Sequence, residues 1–255
     1  MTGLLLSSLL LARREIVRFL REPSRVVGAL ATPFVFWLLL GGGFSATFRA
    51  GGDSDYATYF FPGVLALTVF FTAIFSTISV IEDRKAGFLQ AVLASPVPRG
   101  AVIGGKVLGG GILAAAQGML LLGILAAAGM PVSLLGAALA GGALFLVAVP
   151  LVLLGLVLAF RFDSTQGFHA VMNLFLMPAW ILSGSVFPLA GAPRWIAVVA
   201  VLNPLTYAVA ILRRTLDPGA ALLDPTLPTL PVSFALLAVS CGIFAALARR
   251  AMMRE

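Results

Sequence analysis

Residues 133–160 read SLLGAALAGGALFLVAVPLVLLGLVLAF, twenty-eight residues without Asp, Glu, Lys or Arg. A helix needs about 20 apolar residues to cross the hydrocarbon layer of a bilayer, so this run is long enough to span it. Stretches 26–44, 59–81, 107–130 and 165–187 qualify in the same way, and 229–248 makes a sixth. The only ionisable side chain in these runs is His169, apart from the thiol of Cys241 and the tyrosine at position 59. The composition agrees with the reading: 60% of the 255 residues are apolar and 11% are charged, and mean hydropathy is +1.07. A soluble domain is about a quarter charged. Disorder, fibrous repeats, a disulfide scaffold and an ordinary soluble enzyme are all excluded. The fold expected is an all-α integral membrane protein, a single transmembrane domain over 1–255.

Residues 195–212 are also apolar, but Asn203-Pro204 interrupts their middle. Proline removes a backbone donor and pushes the residue before it out of the helical region. This predicts two short interfacial or re-entrant helices within an external segment, 188–228, and not a seventh span. Charge supports that count. With six spans, thirteen Lys and Arg lie on the side of the N-terminus, and Arg49, Arg194, Arg213 and Arg214 lie on the other. Seven spans would move Arg249, Arg250 and Arg254 outside and give a worse balance. The positive-inside rule therefore predicts both termini in the cytoplasm. The net charge of +7 is read as topology, with a lipid membrane and no nucleic acid as partner.

Ahead of the spans, Leu5, Leu9, Ile16 and Leu20 recur at near-helical intervals, with Arg13, Arg14, Arg18 and Arg21 among them. The arginines follow the leucines, the reverse of a signal peptide. An amphipathic helix over 4–22 lying in the membrane interface is expected; the plainer reading is a frayed cytosolic tail. Between spans, loop 45–58 is short and polar, and Pro131 marks a tight turn. Loop 82–106 is the only sizeable inner connection.

Chemistry is sparse. One histidine and one cysteine exclude a His-based metal cluster and an intrachain disulfide. Ion-coupled transporters hold charges at mid-membrane, and these spans lack them; His169 reads as a helix-packing residue rather than a proton relay. Gly100 to Lys106 fits GxxxxGK, but Val107 stands where Ser or Thr must hold Mg²⁺. The glycines read better as close-packing positions, continuing through Gly109, Gly110 and Gly111. Gln117, Asn173 and Phe187 are candidate substrate-path residues, with interhelical bonding the alternative for Gln117. Trp180, Trp195 and Tyr207 fit an aromatic belt at the outer interface. The chain has the architecture of a translocator without an energy source of its own.

The stretch Ile81-Glu82-Asp83-Arg84-Lys85-Ala86-Gly87-Phe88-Leu89-Gln90-Ala91-Val92-Leu93-Ala94-Ser95-Pro96-Val97-Pro98-Arg99, followed by Gly105-Lys106, resembles the second-to-third-span loop of ABC type-2 permeases. Ser183-Gly184, Phe187-Pro188, Asn203-Pro204-Leu205-Thr206-Tyr207 and Arg213 are similar to that family's external segment before the last span. The resemblance implies the membrane subunit of an ATP-driven exporter for a drug, lipid or glycolipid in a bacterial inner membrane. Two permease copies would pair with two copies of a separate ATPase subunit. ATP and Mg would sit on that subunit, with no cofactor and no catalytic site in this chain. It further implies a short coupling helix, about 87–94, that docks on the ATPase. Phe88, Leu89, Val92 and Leu93 make an apolar stripe that needs a partner. Glu82, Asp83, Arg84 and Arg99 would supply polar rim contacts, and Pro96 stiffens the return. Where family members often carry a glutamate, this chain has Phe88-Leu89-Gln90-Ala91, so the expected dock is apolar. A helix lying on lipid is the alternative for this segment. For the whole chain, the alternatives are an ATP-independent channel or scramblase, and an intramembrane lipid-modifying enzyme.

Overall fold

The computed structural model describes residues 2–44, 56–129, 132–216 and 226–254. Loop 45–55, with Arg49, the turn at Pro131 and residues 217–225 of the external segment lie outside the described residues. Ten helical elements are described: α1 (Thr2–Leu20), α2 (Val26–Phe44), α3 (Tyr56–Lys85), α4 (Phe88–Ala94), α5 (Arg99–Ala127), α6 (Leu134–Ala159), α7 (Thr165–Ser185), α8 (Arg194–Leu202), α9 (Pro204–Leu216) and α10 (Leu230–Met252). Six of them, α2, α3, α5, α6, α7 and α10, are long and apolar enough to cross a bilayer. They coincide with the six runs read from the sequence.

The bundle is organised around α3, which is buried along nearly all its length. Helices α5 and α6 flank it, and small residues set how closely they approach. A Cβ added at Gly118 would lie 2.9 Å from the Leu144 side chain, and one at Gly155 would lie 2.7 Å from Thr77 Oγ1. The outward faces are apolar: Val27, Leu39, Leu174, Phe175, Leu202 and Val239 are all exposed. Exposed apolar surface on this scale belongs against lipid.

Helix α1 turns most of its leucines away from the bundle, Leu11 excepted. Leu5, Leu6, Leu9 and Leu10 point outward, and Ser8, Ala12, Glu15 and Phe19 are buried. Their partners are the glycines of α5: a Cβ at Gly105 would lie 2.5 Å from Leu11 Cβ and 3.0 Å from the Ser8 carbonyl. The stretch 100–107 is helical throughout, so its glycines seat a helix.

Helices α8 and α9 meet at 84°. Asn203 is extended, as the residue before proline must be. Its Oδ1 accepts the Leu205 N–H at 3.0 Å, capping α9, and its Nδ2 donates to the Ala179 carbonyl at 2.5 Å. Ala179 lies about six residues, or roughly 9 Å, inside the end of α7. Meanwhile the end of α9 returns to the start of α6: a Cβ at Gly136 would lie 3.5 Å from the Thr215 carbonyl. The pair therefore dips into the bundle and comes back on the same side. It is re-entrant, as the Asn203-Pro204 pair predicts.

The packing also corrects the aromatic belt. Trp180 is 1% exposed and donates from Nε1 to the Gly63 carbonyl at 2.9 Å. Tyr207 is buried and donates to the Val201 carbonyl at 2.5 Å. Trp180 packs against Phe36 and Phe60, both residues serve packing, and Trp195 alone of the three is exposed. Arg213, counted from sequence as an external charge, is buried, with Nη2 donating to the Gly184 carbonyl at 3.1 Å and its guanidinium 4.1 Å from the Tyr59 ring centroid.

Candidate functional site

At the basic end of the bundle, the loop after α3 is held by a buried ionic cluster. Asp83 leaves the last turn of α3, Lys106 lies in the second turn of α5, and Glu15 lies on α1. Lys106 Nζ donates at 2.8 Å to Glu15 Oε1, to Ser79 Oγ and to Asp83 Oδ2. An ammonium has three protons, so all three are used. Arg14 forks onto Asp83 with bonds of 2.8 and 3.1 Å. Arg18 bridges Asp83 at 2.9 Å and Glu82 at 2.6 Å. Three cations face three carboxylates, and the buried charges are neutralised within the cluster, the condition under which such groups are tolerated. The Asp83 hydrogen bond holds the Arg14 guanidinium above its ordinary pKa against the opposing effect of burial.

The loop helix α4 hangs from this cluster. Gly87 precedes it with φ of 73°, the left-handed conformation that favours glycine and turns the chain between α3 and α4. Leu89 is 3% exposed. Val92 and Leu93 are half-buried against the main core, and Phe88 lies under Arg14, whose guanidinium is 3.7 Å from the ring centroid.

This placement corrects the premise of an unpartnered stripe. Leu89 is buried, Val92 and Leu93 are half-buried against the core, and Phe88 is partly covered by Arg14 of α1. Glu82, Asp83 and Arg84 likewise face inward. Arg84 Nη2 donates to the Phe160 carbonyl and Nη1 to the Phe162 carbonyl, each at 3.2 Å. It thereby caps the carbonyl end of α6. The outward surface of the loop is Lys85, Gln90, Ala91, Ala94, Pro96 and Arg99, all exposed.

The substrate-path candidates separate. Gln117 is buried, and its Oε1 accepts from the Thr72 hydroxyl, tying α5 to α3. Asn173 is on the exposed face of α7 beside Leu174 and Phe175, and Phe187 is half-buried just past the end of that helix. The structure does not bring these three together. It shows instead a cavity of about 460 Å³ between the end of α1 and helices α2, α3 and α7. Phe19, Phe71 and Phe75 supply aromatic walls, and Ser24, Glu82, Thr165 and His169 lie toward the basic end. The His169 ring is 4.9 Å from that of Phe75.

Sequence reasoning reads Lys106 as one of the basic residues on the N-terminal side and as part of a Gly-Lys pair, takes Ser79 as one of the few polar residues of its span, and omits Glu15 and the cavity. The available signal was a lone acid, Glu15, among the arginines of α1; small residues three and seven positions before it, Ala12 and Ser8, mark the packed face.

The fold defines a multi-pass helical membrane protein. A sequence model described as ABC-2 type transporter matches residues 8–216, and the chain belongs to that family. It is therefore a transport permease subunit of an ABC transporter, and the family associates with an ABC ATPase subunit. Its relatives include a putative transport permease ycf38 of Cyanophora paradoxa, 25% identical over 210 residues, covering 80% of this chain and 71% of that protein. A nodulation protein J of Rhizobium leguminosarum bv. trifolii is 26% identical over 192 residues, covering 74% and 73% respectively.

Proposed function

We propose that this chain is one of two identical membrane subunits of an exporter for a hydrophobic or amphipathic cargo. The two copies would lie in a bacterial inner membrane, with the basic end and both termini in the cytoplasm. ATP and Mg belong to the separate ATPase subunit, and this chain performs no catalysis. The observation that carries the cargo reading is the aromatic cavity. From Glu82 to Phe71 is eleven residues along α3, roughly 16 Å of helix. That is about the depth of one leaflet of a 30 Å core. A cavity polar at its mouth and aromatic within suits an amphiphile entering from the inner leaflet.

Asn173 supports a second copy. An amide on an otherwise apolar lipid-facing surface is costly without a partner.

Force from the ATPase would enter at the exposed face of α4. The Asp83 cluster ties that loop to α1 and α5, so these elements would shift as one body. The test is Gly28→Leu. Gly28 lines the cavity, and an added Cβ there has no heavy atom within 4 Å. The larger side chain fills the space without displacing a neighbour. In proteoliposomes holding the full complex, this variant should retain the ATPase subunit and lose most ATP-driven movement of a fluorescent single-chain amphiphile. Unchanged movement would remove the cavity from the path. Movement without the ATPase subunit would favour the channel or scramblase reading.

A further inference from the structure

We propose that the basic end of α6 and α10 carries a binding site for the phosphate of an anionic membrane lipid. A cavity of about 310 Å³ lies there, lined by Arg84, Arg161, Asp163, Leu247, Arg250 and Arg254 among others. These residues come from three parts of the chain: the end of α3, the turn after α6, and the last turns of α10. Arg250 and Arg254 are four apart and share a helix face. Asp163 is the one acid in the lining, and Arg84 engages it at 3.3 Å. Arg84 also covers the carbonyls at the end of α6. Arg161, Arg250 and Arg254 are exposed and make no ion pair among the described residues. Three cations around one concavity repel each other, and a bound anion relieves that repulsion.

The apolar surroundings select a lipid over a soluble anion. Leu247 forms part of the lining, and Ile243 and Val239 continue from it at intervals of four along α10. Both are more than half exposed. A lipid phosphate held by the arginines would thus have its acyl chain along a ready apolar track. The site lies where the spanning helices end, at headgroup depth. Basic pockets between helices on the cytoplasmic side are suited to such headgroups. The inference is independent of the cargo and of transport itself.

The experiment uses the purified full chain in detergent, with phosphatidylglycerol and phosphatidylcholine as probes, read by native mass spectrometry and thermal unfolding. Phosphatidylglycerol should be retained and should raise the unfolding temperature more than phosphatidylcholine does. Each arginine should contribute roughly fivefold to apparent affinity. The triple variant Arg161→Gln, Arg250→Gln, Arg254→Gln should therefore weaken binding by about two orders of magnitude, and Arg249→Gln, which is outside the lining, should not. Single substitutions at these exposed positions read the same effect at about fivefold each if the triple variant does not fold. If inorganic phosphate at millimolar concentration stabilises as well as the lipid does, the site is for a soluble anion and the proposal falls. It falls also if the triple variant retains phosphatidylglycerol as well as the parent does.

Discussion

Lys106 Nζ and Asp83 Oδ2 lie 2.8 Å apart, with side chains 7% and 3% exposed. This pair joins α5 to the last turn of α3, from which the loop carrying α4 departs. Removing one member of a buried pair leaves the other charge uncompensated, at a cost of about 3–5 kcal/mol. Lys106→Met should lower the thermal stability of the purified protein by that order. Adding Glu15→Gln should restore part of the loss, because Asp83 keeps Arg14 and Arg18 while Glu15 loses its closest cation. A Lys106→Met protein as stable as the parent would show that the cluster contributes nothing to the fold.

The close approach of α1 to α5 depends on Gly105. Gly105→Ala forces Leu11 and the Ser8 carbonyl aside, and should destabilise by about 1–3 kcal/mol, the range for overpacking. Gly123, also on α5, has no heavy atom within 4 Å of an added Cβ. Gly123→Ala should be neutral or stabilising by up to about 1 kcal/mol, since alanine is the better helix former. Thermal unfolding of the two variants side by side measures the contrast.

Asn203 holds the re-entrant bend through two separable bonds. Asn203→Asp keeps an acceptor for the Leu205 N–H and loses the donor to Ala179. Asn203→Ala loses both. Each bond is worth about 1 kcal/mol, so stability should fall in the order Asn, Asp, Ala. Equal stability of all three would mean that Pro204 alone sets the bend.

Docking and folding should separate on α4. Ala91→Asp and Ala94→Asp alter its exposed face, and should reduce co-purification of the ATPase subunit severalfold with unfolding temperature unchanged. Leu89→Ala removes a buried side chain and should cost about 2–5 kcal/mol. If Ala91→Asp leaves co-purification intact, the docking surface is elsewhere.

The six spans, their count against seven, and the bend at Asn203-Pro204 were legible in the amino-acid order. Each rests on local physics: the length of an apolar run, the side on which arginines accumulate, and proline's missing donor. The direction in which α4 turns its apolar stripe was not legible. Phe88 and Leu89 present the same pattern whether a partner, a lipid surface or the chain itself covers them. Trp180 and Tyr207 sit where a belt is expected, but Trp180 is packed against Phe36 and Phe60 and Tyr207 is carried inward on α9. Glu15, Asp83 and Lys106 occur in three unconnected segments, each plausible as a solvated interfacial charge. Local sequence settles which segments leave water for lipid, because that transfer depends on each segment's own side chains. Which charges meet, and which apolar faces remain open, depends on how α1 and α5 close on each other. That is decided by distances between residues far apart in the chain, and only the tertiary structure holds them.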